Sequence, residues 1–157
     1  MNRRPEITMS PDELRAFLDE EYTLTCASLG PSGRPHLMPL WYVRQGDAIA
    51  CWTYGASQKV RNLERLPQAT LLVEAGEKYD ELRGVMLECD VEIVRDRERI
   101  LDIGVALAYR YGAAPPDAPA DLVRAGAARR GAKRVGLLFR PTRIVSWDHR
   151  KLGGGGH

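Results

Sequence analysis

The sequence predicts a mainly β domain: an antiparallel barrel with a few covering helices. Segments with strand patterns outnumber helical ones, and strands that are adjacent in the chain are joined by short turns. The alternation of strand and helix that is typical of a parallel sheet is absent from the sequence, as are a G-x-G-x-x-G loop and a Walker loop. The chain has 157 residues, a length that suits one domain. We predict an N-terminal tail (residues 1–9), a single domain (10–152) and a flexible Gly-rich tail (153–157).

The N-terminal half of the chain is predicted to hold a capped helix, three strands and a second helix. Ser10, followed by Pro11, is typical of a helix start. Strand composition, Gly- and Pro-rich turns and apolar spacing predict three strands and a helix, which cover residues 22–29, 36–43, 48–54 and 57–66. Pro35 and Pro39 mark the second strand as an edge or bulged strand with exposed backbone, because proline donates no hydrogen bond to a sheet.

The C-terminal half is predicted to hold two strands, two helices and a closing pair of strands. In chain order these elements cover residues 69–74, 82–94, 96–111, 120–130, 134–139 and 143–147. Asp96 is placed to cap the first of the two helices. The closing strands are expected to form a hairpin around Arg140-Pro141-Thr142.

Composition and charge exclude several classes of function. The 23 Lys and Arg residues against 21 Asp and Glu residues leave a net charge of +2, too small for bulk attraction to nucleic acid. No apolar run approaches the ~20 residues that span a bilayer, so we expect a cytoplasmic protein without a membrane partner. Cys26, Cys51 and Cys89 lie in apolar, strand-like stretches and are expected to be reduced core thiols. The histidines show no metal-ligand spacing, so no metal site is expected.

The segment Ser57-Gln58-Lys59-Val60-Arg61 combines a helix start with two cations. Cations in a first helical turn oppose the helix dipole, at a cost of about 0.3–1 kcal/mol each. A bound anion reverses that sign, because free backbone N–H groups and both cations would converge on it. The segment therefore indicates a phosphate site; a solvated basic face without a ligand is the alternative.

Aromatic residues are concentrated on two predicted strands, at Trp41-Tyr42 and at Trp52 and Tyr54. Successive strand residues face opposite sides, so some of these rings must face outward. An outward ring can stack on a planar ligand or fill a subunit interface, whereas core packing is the alternative for each residue. The basic cluster at residues 129–134 has three interpretations: nucleic-acid contact, a solvated helix end, or a steering patch for a polyanionic small molecule.

The order and spacing of these motifs resemble the flavin/deazaflavin oxidoreductase family B, within the pyridoxamine-phosphate-oxidase-like superfamily of split β-barrels. The resemblance extends from about Met9 to Gly153. The matching segments are Gly33-Arg34-Pro35-His36-Leu37, Leu40-Trp41-Tyr42, Ser57-Gln58-Lys59, Asn62-Leu63, Tyr79-Asp80-Glu81-Leu82-Arg83-Gly84-Val85 and Ser146-Trp147-Asp148-His149-Arg150-Lys151-Leu152-Gly153.

The resemblance implies an antiparallel split β-barrel of the FMN-binding type, assembled as a homodimer with two cofactor grooves between the subunits. It implies that the segment around Lys59 holds the cofactor phosphate and that the strand around Leu40 lies along the ring system. It also implies that Trp147, from the same chain or from the partner subunit, shapes the substrate side. The cofactor-binding residues implied in this way are Met38, Pro39, Leu40, Trp41, Tyr42, Ser57, Lys59, Arg61, Asn62 and Trp147.

The implied activity is that of a reductase dependent on coenzyme F420, which transfers hydride from the reduced deazaflavin to an unsaturated or conjugated small molecule. The alternatives are an FMN-dependent oxidase or reductase on the same fold, and a non-catalytic protein that binds F420 or haem. No catalytic residue is assigned; His36, Tyr42 and Tyr54 are the weak candidates for a proton donor. Arg83 is either a ligand for an acidic cofactor tail or a structurally paired side chain.

Overall fold

The computed structural model describes residues 2–153, in which a seven-stranded antiparallel sheet is accompanied by five α-helices. The strands are β1 (Leu24–Leu29), β2 (Pro35–Leu40), β3 (Val43–Gln45), β4 (Ala48–Tyr54), β5 (Gln68–Ala75), β6 (Arg83–Val94) and β7 (Arg134–Asp148). The helices are α1 (Arg4–Ile7), α2 (Pro11–Glu20), α3 (Gln58–Arg65), α4 (Arg97–Arg110) and α5 (Ala120–Arg130). The predicted Gly-rich tail falls outside the described residues from position 154 onward.

The order of the hydrogen-bonded strands, β2-β1-β5-β6-β7-β4-β3, shows how the sheet closes. β2 and β3 are the two edges of the sheet, yet only Trp41 and Tyr42 separate them in the chain. Leu40 and Val43 therefore lie at most about 11 Å apart, because each residue extends the chain by no more than ~3.6 Å. The sheet must curl until its edges approach each other without pairing. This is a split barrel, and the predicted fold class is confirmed.

The barrel interior is apolar, and a second apolar layer lies outside β4 and β7. Ile49 and Cys51 on β4 face the interior, where they pack with residues such as Leu71 and Phe139. Ala50, between them on the strand, faces α4 instead and packs with the side chains of that helix. Side chains alternate between the two faces of a strand, so this part of the sheet is buried on both sides.

The helix starts that the sequence predicts at Ser10 and Asp96 are confirmed by their hydrogen bonds. The Ser10 hydroxyl accepts the N–H of Glu13 at 3.2 Å, and the Asp96 carboxylate accepts the N–H of Arg99 at 2.9 Å. Each bond satisfies one of the backbone donors that a helix leaves free in its first turn.

Two of the predicted strands differ from the observed ones. β2 ends at Leu40, so Trp41 and Tyr42 form the link to β3 instead of extending the strand. The predicted C-terminal hairpin is wrong, because β7 continues through Pro141 and pairs along its length with β6. The register shifts between Glu88 and Cys89, so this part of β7 is a bulge and not a turn.

The N-terminal segment that we predicted as a tail packs against the barrel. It contains α1, and Met9 is buried with its N–H donated to the Ser146 hydroxyl at 3.0 Å. Lys151 donates to the Thr8 carbonyl at 2.8 Å and pairs with Glu13. These contacts hold the two ends of the described chain together.

The three cysteines are free and buried, as the sequence predicts. Burial raises the pKa of Cys26 to about 11 and that of Cys89 to about 12, so both are neutral thiols at physiological pH. Within residues 2–153, no group of His, Cys, Asp and Glu side chains is arranged to hold a metal ion. In the same range, no helix is both long and apolar enough to cross a membrane.

Candidate functional site

A groove of about 700 Å³ opens beside the junction of the two barrel edges. Its walls come from the end of β2, the end of β4, α4 and the chain around the start of β7. The residues that line it are Thr23, Pro39, Leu40, Trp41, Trp52, Thr53, Tyr54, Gly104, Leu107, Ala108, Tyr111, Ala113, Arg130 and Arg134. Three of the ten predicted cofactor-binding residues, Pro39, Leu40 and Trp41, are brought together here.

Trp41 provides a planar wall of the groove. Its side chain is 59% exposed, but one face of the indole stacks on the Tyr111 ring, with centroids 4.4 Å apart and ring planes 7° apart. The other side of the indole is the part left available to a ligand. An exposed aromatic face whose opposite face is held by stacking suits a planar ring system.

Trp52 and Tyr54 form the part of the groove that β4 contributes. The Trp52 indole is wedged between helices: a Cβ at Gly104 would lie 2.4 Å from the Trp52 ring, and one at Gly131 would lie 2.6 Å from it. The Arg134 guanidinium lies over both aromatic rings, 5.0 Å from the Trp52 centroid and 4.5 Å from that of Tyr54. Cation–π contacts therefore hold a positive charge at the groove.

Thr53 lines the groove and connects it to the start of α3, although the groove lining includes neither Ser57 nor any residue of α3. Lys59 is only 8% exposed, and its ammonium group donates to the Thr53 hydroxyl at 2.9 Å. Ser57 occupies the cap position of α3, in agreement with the helix start predicted at this segment. Its side chain makes no cap hydrogen bond, and its buried hydroxyl has no partner among residues 2–153. The start of α3 combines a buried cation, an unpartnered hydroxyl and backbone N–H groups without helical acceptors.

The charge at this end of the groove is not neutralised within the described part of the chain. No Asp or Glu there forms an ion pair with Lys59, Arg130 or Arg134, whereas most other arginines do pair. Burial lowers the pKa of Lys59; the thiols of Cys26 and Cys51 raise it, and Arg134 lowers it further. An anion that enters here would offset the cost of holding the buried ammonium charged.

Asn62 and Arg61 have different surroundings from Lys59. Asn62 is fully buried; its amide donates to the Ser28 hydroxyl at 3.0 Å and accepts from Gln58 at 2.9 Å. The bond to Ser28 attaches α3 to β1, so Asn62 fixes the helix that carries Lys59. Arg61 is exposed on the opposite side of the helix start.

Tyr42 is part of the core, so core packing, the alternative stated for each aromatic residue, is the one observed for Tyr42. It is fully buried, and its hydroxyl lies 2.6 Å from the Leu18 carbonyl and 3.0 Å from the Glu21 carbonyl. Burial raises the pKa of Tyr42 well above its ordinary value. The ring is therefore unavailable either as a cofactor wall or as a proton donor.

Met38, Trp147 and Arg83 lie away from the groove. Met38 is exposed on β2, and Trp147 packs flat over Gly84, where a Cβ would come within 2.2 Å of the indole. Arg83 pairs with Glu20 at 3.1 Å and Glu21 at 3.8 Å. Of the two roles left open for Arg83, the structurally paired one is observed.

The sequence did not identify Thr53, Tyr111 or Arg130 individually as groove residues. Arg130 and Arg134 were visible only as part of the basic cluster, whose steering-patch interpretation agrees with their location. Tyr111 carried no signal, since a tyrosine at the end of an amphipathic helix is ordinary. Its role depends on α4 crossing the link between β2 and β3.

A second concavity, of about 520 Å³, lies across β1, β5, β6 and β7. Glu88 and Asp90 line it, together with Arg143, which already pairs with Glu88 at 2.8 Å. Its electrostatic character is therefore opposite to that of the groove, and it does not suit a phosphate.

The curled sheet defines a split-barrel protein with an aromatic, cationic groove at the junction of its two edges. A family model described as pyridoxamine 5'-phosphate oxidase matches residues 10–148. The chain belongs to this family, which confirms the superfamily named from the sequence.

Solved structures show the same fold over most of the chain. A conserved hypothetical protein from Mycobacterium tuberculosis is 37% identical, with a TM-score of 0.90 over 100% of this chain and 96% of the other. An F420 reductase is 24% identical, with a TM-score of 0.62 over 83% and 94% of the two chains. A haem storage protein from Vibrio cholerae is 18% identical, with a TM-score of 0.66 over 87% and 94%. No curated protein matches the chain.

Proposed function

We propose that the groove binds coenzyme F420 and that the protein is a reductase that uses it. The strongest support is the buried Lys59 ammonium, which donates to the Thr53 hydroxyl and whose pKa no carboxylate of the described chain raises. A buried cation without a counter-ion is expensive, and the start of α3 adds backbone donors for a phosphate. The combination fits a phosphate group whose attached ring system extends toward Pro39, Leu40 and Trp41.

The arginines favour F420 over FMN as the occupant. FMN carries one phosphate, and the start of α3 is sufficient to bind it. The deazaflavin coenzyme carries in addition an acidic tail, and Arg130 and Arg134 supply unpaired cations on the same groove. FMN remains the alternative cofactor, because its ring and phosphate would use the same residues.

Haem is less well suited to this groove. The residues that line it within the described chain include no His, Cys or Met, whose side chains are the common axial ligands for haem iron, so a tyrosine of the groove would have to serve instead. A non-catalytic role in F420 storage would use the same contacts as a reductase, so turnover is the property that separates these two functions.

The chemistry of the bound coenzyme is hydride transfer from its reduced ring to an unsaturated or conjugated acceptor. The residues of this chain bind and orient: Lys59 and the start of α3 hold the anion, and Trp41 provides a wall for the planar ring. Three residues, His36, Tyr42 and Tyr54, were considered from the sequence as proton donors. Of these, Tyr54 lines the groove, where it is 57% exposed and lies under the Arg134 guanidinium.

The functional unit proposed here is a homodimer. One row of residues crosses the outer face of five strands, from Pro39 at the groove through Thr25, Leu72 and Met86 to Val145. Leu72 is 37% exposed, and Leu37 on the same face is 60% exposed. Trp147 lies two residues beyond Val145 on this face, so a second copy seated here would bring new side chains to the edge of the groove.

Titration of the purified protein with oxidised F420, FMN and haem tests the proposal. We expect F420 to bind most tightly, and tighter binding of FMN or haem would contradict the cofactor assignment. Consumption of reduced F420 in the presence of unsaturated acceptors then tests for turnover, and its absence across a broad panel would favour storage.

Lys59→Met keeps the length of the side chain and removes its charge. We expect it to weaken F420 binding by about 1–3 kcal/mol, the value typical of a lost charge-assisted hydrogen bond. Arg65→Met is the matched control, because Arg65 is an exposed cation in the last turn of the same helix. Equal affinities of the two variants for F420 would show that Lys59 does not bind the phosphate.

A further inference from the structure

The link between the two barrel edges needs hydrogen-bond partners from outside the sheet. Trp41 and Tyr42 belong to neither β2 nor β3, so their backbone groups have no place in a strand ladder. Tyr42 is nevertheless fully buried. Buried backbone donors and acceptors are almost always paired, and in this link the pairing comes from one side chain.

That side chain is Tyr111, which follows the last turn of α4. Its hydroxyl accepts the N–H of Tyr42 at 2.9 Å. The same hydroxyl lies 2.7 Å from the Tyr22 carbonyl and 2.9 Å from the Tyr42 carbonyl, so its single proton is donated to one of these two oxygens. The Tyr111 ring stacks on Trp41, as described above. One residue thus holds both the backbone of the link and the indole that it carries.

Arg110 fixes Tyr111 in place from the adjacent position. Its guanidinium donates to the carbonyls of Leu18 and Glu21 at the end of α2. It also lies over the rings of Tyr42 and Tyr111, 4.9 and 5.6 Å from their centroids. The end of α4 is therefore attached to the end of α2, with the link between β2 and β3 held between them.

We propose that Tyr111 is a positioning residue for the ligand-binding wall of the groove. It holds Trp41 and the link at Tyr42 in one position, so that the free side of the indole is ready to receive a planar ring. This role rests on the proposed function, since the ring in question is that of the cofactor. Preorganisation of this kind raises affinity because a ligand need not order the wall that it contacts.

Two substitutions separate the two parts of this role. Tyr111→Phe keeps the stacked ring and removes the hydroxyl that pairs with Tyr42, whereas Tyr111→Leu removes both. We expect oxidised F420 to bind about three- to tenfold more weakly to Tyr111→Phe, in line with the loss of an ordinary hydrogen bond, and more weakly still to Tyr111→Leu. Tyr109→Phe is the matched control. Its hydroxyl bonds the Ala118 carbonyl at 3.0 Å, and the residue does not line the groove.

Amide hydrogen exchange reports on the link without any cofactor. In Tyr111→Phe, the Tyr42 N–H should exchange at least about tenfold faster than in the wild type, while core strand amides and the thermal midpoint change no more than in Tyr109→Phe. A merely structural tyrosine would lower protection throughout the barrel. The test therefore combines Tyr42 exchange with F420 and FMN titrations of the wild type and the three variants.

The outcomes are distinct. Unchanged Tyr42 exchange in Tyr111→Phe would overturn the positioning role, even if F420 binds more weakly. Equal affinity of Tyr111→Leu and the wild type for F420 would also overturn it. A wild-type protein that binds neither F420 nor FMN would overturn the proposed function and the ligand part of this inference, while the exchange data would still decide whether Tyr111 holds the link.

Discussion

Lys59 shows how a single buried charge connects stability with binding. Its ammonium group is largely removed from water and has a neutral hydroxyl as its partner. Burial, the largest cause, lowers the pKa of Lys59 below the ordinary lysine value of 10.5. The folded protein is therefore less stable with Lys59 charged than it would be with the same side chain neutral, and a bound phosphate removes that penalty.

The stability of the ligand-free protein should consequently depend on pH through Lys59. Between the folded-state pKa of Lys59 and 10.5, the unfolded chain binds more protons than the folded one. The contribution of Lys59 to the free energy of unfolding therefore rises with pH across this window. Urea unfolding midpoints of the wild type and Lys59→Met, measured at increasing pH, check this expectation. The difference between the two proteins isolates Lys59 from other titrating groups, and a pH-independent difference would contradict it.

At the scale of elements, α4 and α5 build one side of the groove by enclosing Trp52. This packing requires glycine where the helices approach the indole, at Gly104 and Gly131. The alternation of β4 side chains explains the arrangement: Cys51 and Thr53 are buried on one side of the strand, so Trp52 must face the helices.

Gly104→Ala should therefore destabilise the protein by about 1–3 kcal/mol, because overpacking a close contact displaces its neighbour. Chemical unfolding measures the loss, and F420 titration shows whether the displaced Trp52 also disturbs the groove. Combining Gly104→Ala with Trp52→Leu should restore part of the stability, since leucine leaves room for the added methyl. Strict additivity of the two single substitutions would show that the contact is not the cause.

At the scale of the whole molecule, association through the outer face of the sheet would determine whether one chain or two chains contribute residues to the groove. Leu37 and Leu72 expose apolar surface on this face, and Trp147 lies there, remote from the groove of its own chain. A dimer through this face would explain both observations, because burial of apolar area drives association.

Leu72→Glu should convert the proposed dimer into a monomer, because the substitution would bury a carboxylate in the proposed interface. Sedimentation velocity across a range of concentrations measures the change. Leu122→Glu is the control, since Leu122 is 65% exposed on α5 and away from the sheet face. A wild-type protein that sediments as a monomer at all concentrations would contradict the dimer directly.

Features that depend only on residues close together in the chain were predicted correctly from the sequence. The cap at Ser10, the edge strand marked by Pro35 and Pro39, and the buried thiols follow from residue type and apolar periodicity, which need no knowledge of distant contacts. The predicted hairpin at Pro141 failed because the pairing of β7 with the long β6 is a non-local choice. A proline at this point, between Arg140 and Thr142, has the same local pattern in a bulge as in a turn.

By itself, the sequence determined an antiparallel, mainly β fold, a cationic helix start at Ser57-Gln58-Lys59 and a set of aromatic residues on neighbouring strands. The tertiary structure decided which of those residues face the groove. Curling of the sheet turned Tyr42 into the core and left Trp41 exposed, while α4 brought Tyr111 behind Trp41. The tertiary structure also placed the Arg134 guanidinium over the Trp52 ring and left Trp147 outside the groove of its own chain. The physical reason is that a side chain's face depends on where its strand or link lies in the closed barrel, and long-range pairing sets that position.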